Sequence, residues 1–439
     1  MLAMVMRVVY IILQFVLFIL AGPLLLVKAT LTPKYRGRIG GRLGLGLKRE
    51  LDVLAGVPAP RIWIHALSLG EVASAQGLVT ALRRALPEAG LIFSAATAAG
   101  EAFARRHLAS AVDCFMPFPL DIPLSVNRLL NVVRPDLFVL VETDFWPNFL
   151  YALQQRAIPA LLVNGRISDS SWRWYQRGRW LFGPLFRSFA VLAMQTEADA
   201  RRLVSLGVPA ERVLALGNLK FDTAPLAAVE VNDRRQLGIA TGSRVWVAGS
   251  THEGEEEIIF RVMQRLLPRY PGMCLVVAPR QVERGAAVAA LARARGLAVW
   301  RRSMGSPAGG QVLVLDSLGE LARVYGLAEL AFMGGSLVAA RGHNPLEPAE
   351  LGKPVVFGPH MEDFAEVSAA LLRAGGARQV SEEEELFRVL DHWLAEPTVA
   401  RQAGAQARLL VEAGRGGAAR HVAVIKQLLQ GGGGHGPVA

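Results

Sequence analysis

The stretch RIWIHALSLGEVASAQGLVTALRRA, residues 61–85, decides the fold. Ile62, Trp63 and Ile64 read as the end of a buried strand, because an uninterrupted apolar run suits a strand covered on both faces. Val72, Ala73, Ala75, Leu78, Val79 and Leu82 then recur at helical spacing, so Ser68, Leu69 and Gly70 form the turn between the two elements. In open α/β sheets such turns are where ligands bind, with the helix amides pointing at them. Glu71 therefore stands where a parallel sheet delivers its substrates. It also has a plainer reading. Ser68 and Glu71 fit S-x-x-E, the capping box that starts a helix without any chemistry. The residues alone leave both readings open.

Outward from this unit the same alternation recurs. Apolar, β-rich runs at 61–66, 91–97, 111–118, 137–143, 159–165, 189–195 and 212–217 are separated by helical stretches. Over 223–242 the β-runs stop and charge rises, and the pattern restarts at 245–250, 273–279, 297–300, 312–316, 330–335 and 354–358. Alternation of this kind predicts parallel sheets covered by helices. The expectation is an α/β protein of two doubly wound, Rossmann-like domains facing a central cleft: 31–225 and 226–430, after a membrane-anchor helix at 1–30 and before a disordered tail at 431–439.

The anchor expectation rests on Val8 to Val27, a continuous apolar stretch whose only strongly polar side chain is Gln14. At helical rise it is about 30 Å long, enough to cross a bilayer core. Only Arg7 precedes it, whereas Lys28, Lys34, Arg36, Arg38, Arg42, Lys48 and Arg49 follow, which places the body of the protein in the cytoplasm. A helix lying in the interface and a cleaved signal peptide are the other readings of this stretch. Five glycines between Gly37 and Gly46 are interleaved with arginines, as in a mobile basic segment near anionic headgroups or an ordinary linker. The net charge of +11 favours an acidic partner without choosing among membrane, phosphorylated substrate and nucleic acid. Cys114 and Cys274 sit in separate apolar runs, so neither a disulfide framework nor a CxxC metal site is indicated.

The second half carries motifs at its strand ends. Ser250 to Glu253 and Asn344 to Glu347, the latter with Pro345 placed to begin a helix, repeat the cap spacing. Gly334, Gly335 and Ser336 follow a strand and would let backbone approach a phosphate, or simply make a tight turn. Glu347 and the pair Gly319–Glu320 are placed to accept hydrogen bonds from ribose hydroxyls, although a solvated first-turn glutamate is the commoner fate. Arg280, after Pro279, is a candidate phosphate or carboxylate clamp. The chain has no Walker A loop, no HExxH, no G-x-S-x-G and no Asp-x-Asp pair, and His65, His252, His343 and His360 are assigned to no metal.

The motifs HALSLGE (65–71), RPDLFVLVETDFWPN (134–148), NGRISDSS (164–171), GNLKFD (217–222), STHEGEEE (250–257), DSLGEL (316–321), GGSLV (334–338) and GHNPLEPA (342–349) together resemble the bacterial Kdo transferases. These enzymes attach 3-deoxy-D-manno-octulosonic acid (Kdo) to a lipid A precursor in lipopolysaccharide biosynthesis. The resemblance implies a GT-B fold with an acceptor-binding amino-terminal half and a CMP-sugar-binding carboxy-terminal half. It implies an inverting glycosyltransferase with CMP-Kdo as donor, a lipid A precursor as acceptor, the inner membrane as its site, and no cofactor, metal or nucleic acid. Glu71 matches the family's general base, with Glu142 as a possible supporting carboxylate. A helix amino terminus favours the charged carboxylate and weakens it as a base, so a partly desolvated Glu71 is expected. Donor binding carries over to Pro279, Arg280, Leu318, Gly319, Glu320, Gly335, Ser336, Asn344, Pro345, Leu346, Glu347 and Lys220. Ser68, Arg166, Ser250 and His252 are possible substrate contacts. The chain departs from the family pattern at Gln281–Val282, at Arg341 and in the alanines at 95, 96, 98 and 99. Two alternatives are a membrane-associated GT-B transferase using a nucleoside diphosphate sugar, and a non-enzymatic protein that binds anionic lipid.

Overall fold

The computed structural model describes residues 38–142, 145–222, 233–305 and 310–431, together with Tyr10 and Gln14. The chain divides into two units, one comprising Met1–Thr223 with Arg415–Ala439 and the other Ala224–Gly414.

The first unit is built on a seven-stranded sheet of β1 (Arg61–Ala66), β2 (Gly90–Ala95), β3 (Cys114–Phe115), β4 (Leu137–Val141), β5 (Ala160–Gly165), β6 (Val191–Met194) and β7 (Val213–Ala215). Their order is β3-β2-β1-β4-β5-β6-β7, and each neighbouring pair is parallel. Both faces are covered, which is why these runs read as continuously apolar. Ile62 and Ile64 pack with Leu78 and Leu82 on one face, while Trp63 packs with Phe138 and Phe149 on the other.

The second unit repeats the plan with β8 (Val245–Thr251), β9 (Cys274–Pro279), β10 (Val299–Arg301), β11 (Val312–Val314), β12 (Leu330–Met333), β13 (Val355–Phe357) and β14 (Ala377–Gln379). Their order is β10-β11-β9-β8-β12-β13-β14, again parallel throughout. The order reverses direction between β1 and β4 in one sheet and between β8 and β12 in the other, the switch points at which open α/β sheets hold ligands. All thirteen expected strands are present. The unexpected one, β14, has only Ala377 buried and two exposed polar residues, so it lacks the apolar run that marked the others.

Two expectations change, and two others fall outside the described residues. The helix Gly417–Gln430 does not belong with the second domain: Ala418, Val422, Val424 and Ile425 join the core of the first unit. Its apolar face is too short a signal to say which sheet it covers. The basic segment after Gly37 is folded rather than mobile. Arg38 donates to the carbonyls of Ala95 (3.2 Å) and Ala96 (3.1 Å), and Arg42 donates to the Phe118 carbonyl (3.1 Å). The segment also contains the helices Ile39–Arg42 and Lys48–Ala55. The proposed anchor lies outside the described residues except for Tyr10 and Gln14, as does the tail after Gly431. Gln14, the polar residue of that apolar stretch, donates to the Asp121 carbonyl (2.9 Å) and accepts from Asn148 Nδ2 (2.8 Å). Among the described residues no helix is long and apolar enough to cross a membrane.

Candidate active site

In the first unit the residues after β1, β4, β5 and β7 meet at one end of the sheet. Ser68 caps the helix Leu69–Ala85 by accepting from the Glu71 N–H at 3.4 Å, as the motif predicts. The Glu71 carboxylate reaches back to the Leu67 N–H and stays half-buried. One turn on, Ser74 Oγ lies 2.9 Å from the Glu71 carbonyl and 3.2 Å from Glu142 Oε1. Asn164 Nδ2 donates to the same Glu142 oxygen at 3.2 Å. Glu142 and Asn164 both hold positive φ, 65° and 56°, an uncommon conformation for residues with a side chain and one that clusters at functional sites. Arg166 and Lys220 are half-buried at the ends of β5 and β7.

A set of polar side chains braces this end. Asn164 Oδ1 accepts from the Leu219 N–H (2.9 Å), Gln195 Nε2 donates to the Asn164 carbonyl (3.0 Å), and Asn218 Nδ2 donates to Gln195 Oε1 (2.8 Å). Asp222 accepts from the N–H groups of Gly416 (2.8 Å) and Ala418 (2.6 Å), seating the start of the terminal helix. His421 is fully buried against the Gly417 carbonyl and the Asn164 N–H, and burial pulls it down to about 4. His65 is buried at the end of β1, stacked on Phe118 and 2.9 Å from Ser94 Oγ, and burial takes it to about 3. It is therefore a neutral core residue.

In the second unit the candidates gather at the switch point between β8 and β12. The amides of Gly335 (2.7 Å), Ser336 (2.9 Å) and Leu337 (2.9 Å), with that of His252 (2.9 Å), all donate to the Glu255 carboxylate, which is fully buried. The turn offered to a phosphate is thus bound to the protein's own carboxylate. Its amides suit an anion, and Glu255 supplies one from within. Ser336 is equally internal: its hydroxyl donates to the Met333 carbonyl and accepts from the Gly358 N–H at 2.7 Å.

The neighbouring positions are more open. Ser250 has φ 56° and His252 is half-buried, with its Nε2 2.8 Å from His343 Nε2. Ser250 to Glu253 does not cap a helix, since the helix begins at Glu255 behind Gly254. Asn344 Oδ1 accepts from the Leu346 N–H (3.1 Å) at the start of the helix Leu346–Glu350, so Pro345 is its N-cap and not its first residue. Asn344 Nδ2 also contacts Glu347, whose carboxyl is pushed up by burial. Pro279 is buried at the end of β9, and Arg280 beyond it is exposed. Leu318 and Gly319 are exposed, whereas Glu320 is held by Arg302 at 3.0 Å and by Ser317, which pull its carboxyl below the usual range. Glu320 would have to leave that ion pair to meet a ribose. Lys220 belongs to the first unit and the other donor candidates to the second.

Sequence reasoning missed Glu255, Ser74 and His421. Glu255 lies in a run of three glutamates that reads as a solvated first turn, and only its burial separates it from Glu257. Among the described residues no group of three or more His, Cys, Asp or Glu is placed to hold a metal.

A family profile described as 3-Deoxy-D-manno-octulosonic-acid transferase (kdotransferase) matches residues 37–223. The chain is 34% identical to the 3-deoxy-D-manno-octulosonic acid transferase of Haemophilus influenzae over 355 residues, 80% of this chain and 81% of that one. It is 35% identical to the enzyme of the same name from Bordetella pertussis, over 83% of this chain and 87% of that one. Among solved structures, UDP-GlcNAc 2-epimerase from Neisseria meningitidis bound to UDP-GlcNAc matches with a TM-score of 0.56 at 15% identity, covering 84% of this chain and 100% of that one. That last likeness is one of fold.

Proposed function

Because this chain belongs to the 3-deoxy-D-manno-octulosonic acid transferase family, we propose that it transfers Kdo from CMP-Kdo to a lipid A precursor, with inversion at the anomeric carbon. The observation that carries the mechanism is the place of Glu71, half-buried at the first helical turn after β1 and beside the switch point, with Ser74 linking its turn to Glu142.

Glu71 removes the proton from the acceptor hydroxyl as that oxygen attacks the Kdo anomeric carbon, and CMP departs with the electron pair of the broken bond. Arg280, Asn344 and Glu347 are the donor-side groups assigned to CMP, with Leu318 and Gly319 exposed and Pro279, Pro345 and Leu346 buried, contributing through the fold of their segments. Gly335 and Ser336 contribute through the fold of their turn. Arg166 and Lys220 supply positive charge for a phosphate or the Kdo carboxylate. A single-phosphate leaving group needs no metal clamp. The net charge of +11 and the apolar amino-terminal stretch support work at an anionic inner-membrane surface.

The test is Glu71→Gln in the full-length protein, assayed with CMP-Kdo and a lipid A precursor. Transfer falls by about 10²-fold or more while CMP affinity stays within about twofold. Turnover near that of the unaltered protein would remove Glu71 from this role. Competition by UDP but not CMP would point to a nucleoside diphosphate donor.

A further inference from the structure

Two imidazoles face each other at the second switch point. His252 follows β8 directly, and His343 lies in the loop after β12, the strand paired with β8. Their Nε2 atoms are 2.8 Å apart, with ring planes within 11° and centroids 5.1 Å apart. At that distance one Nε2 carries a proton and donates it, while the other accepts. Two imidazolium rings could not make this contact, since both nitrogens would be donors.

The surroundings hold the pair in place. Gly335, at φ +68°, is packed so that an added Cβ would lie 3.1 Å from His343 Cδ2 and 3.3 Å from His252 Cδ2. A side chain there would crowd both rings, so glycine is the residue that fits. Glu255 fixes the His252 backbone through its N–H. The charged groups facing the pair are Arg280 from the end of β9, Asp363 from the turn Glu362–Phe364, Glu255, and Glu347, which interacts with Arg280. Burial and the Arg280 cation bring His343 down to about 4, against the opposing pull of Asp363. At neutral pH His343 is therefore uncharged, and one proton lies between the two rings.

We propose that His252 and His343 are the leaving-group site: the pair takes up one proton as a phosphate arrives beside Arg280, and then gives N–H hydrogen bonds to the departing CMP. This rests on the CMP-Kdo reading. The donor's phosphodiester carries one negative charge. When the bond from the Kdo anomeric carbon to the phosphate oxygen breaks, its electron pair stays on that oxygen and CMP becomes a monoester dianion. The acceptor's proton goes to Glu71, so the new charge on CMP is met by a different proton, the one held on the histidines. A phosphate both neutralises the Arg280 cation, which opposed protonation, and adds an anion that favours it. The proton adds at the Nδ1 of the donating ring, so the Nε2–H···Nε2 bond between the rings is kept and the N–H gained lies outside it, free to donate to the phosphate.

The measurement is calorimetry of CMP binding to the full-length protein at pH 8 in two buffers of different ionisation enthalpy, which counts protons taken up. Uptake of about one proton is expected for the unaltered protein. None is expected with cytidine, which lacks the phosphate. His343→Gln and His252→Gln should each abolish the uptake, and His343→Gln should lower kcat by about 10²-fold with little change in KM. CMP that binds the unaltered protein without proton uptake overturns the proposal, as does uptake that persists in both variants. CMP that fails to bind at all would instead overturn the donor assignment on which the proposal rests.

Discussion

Glu255 shows how far one side chain's role can lie from its sequence appearance. Its carboxylate accepts four backbone N–H groups, from His252, Gly335, Ser336 and Leu337, and thereby ties the end of β8 to the turn after β12. Removing it leaves buried donors unsatisfied, each costing on the order of 1–3 kcal/mol. Glu255→Ala should therefore destabilise the second unit by about 4 kcal/mol or more, read from urea unfolding followed by tryptophan fluorescence. Conservative replacement by Gln should recover only part of that loss, since an amide keeps one acceptor oxygen. If Glu255→Ala unfolds at the same urea concentration as the unaltered protein, these amides are not relying on the carboxylate. Glu71 differs in kind. Its contact with the capping Ser68 was legible from S-x-x-E after a strand, and its half-burial was expected only from the base role that the resemblance implies.

At the scale of elements, the helix Gly417–Gln430 is the informative case. Its start is held by Asp222, which accepts from two amides across the sequence, and its buried face by Val422, Val424 and Ile425. Asp222→Ala removes a capping interaction, so the first unit should lose about 1–2 kcal/mol. Native-state hydrogen exchange should show the terminal helix opening before β1 does. Equal protection of helix and sheet in that variant would mean that the cap contributes nothing. The GNLKFD motif was legible as a family signature, but its structural use was not: Asn218 and Asp222 act on segments distant in sequence. The strands were legible because burial on both faces forces uninterrupted apolar runs. β14 was not, because an edge strand of three residues with one buried position carries no such pattern.

For the molecule as a whole, buried histidines set a direction for its response to acid. His65 and His421 in the first unit, at about 3 and about 4, and His343 in the second, at about 4, all lie below the usual value of 6.5. The unfolded chain binds protons near pH 6.5 that the folded chain refuses, so stability is full above that pH and declines as pH falls toward 4. His421 alone accounts for up to about 3 kcal/mol of this loss. The urea midpoint of each unit should fall between pH 7 and pH 4.5, and His421→Gln should flatten the dependence of the first unit. A midpoint unchanged over that range would contradict the neutral, buried state of these rings.

The sequence by itself determined the two parallel sheets, the break between them and the family, because strand burial and motif identity are written in neighbouring residues. Only the tertiary structure decided that the Gly335–Leu337 amides belong to Glu255, that the last helix returns to the first unit, and that His252 meets His343. Each of these joins residues roughly 80 or more positions apart, and no local periodicity reports which buried polar groups will satisfy one another.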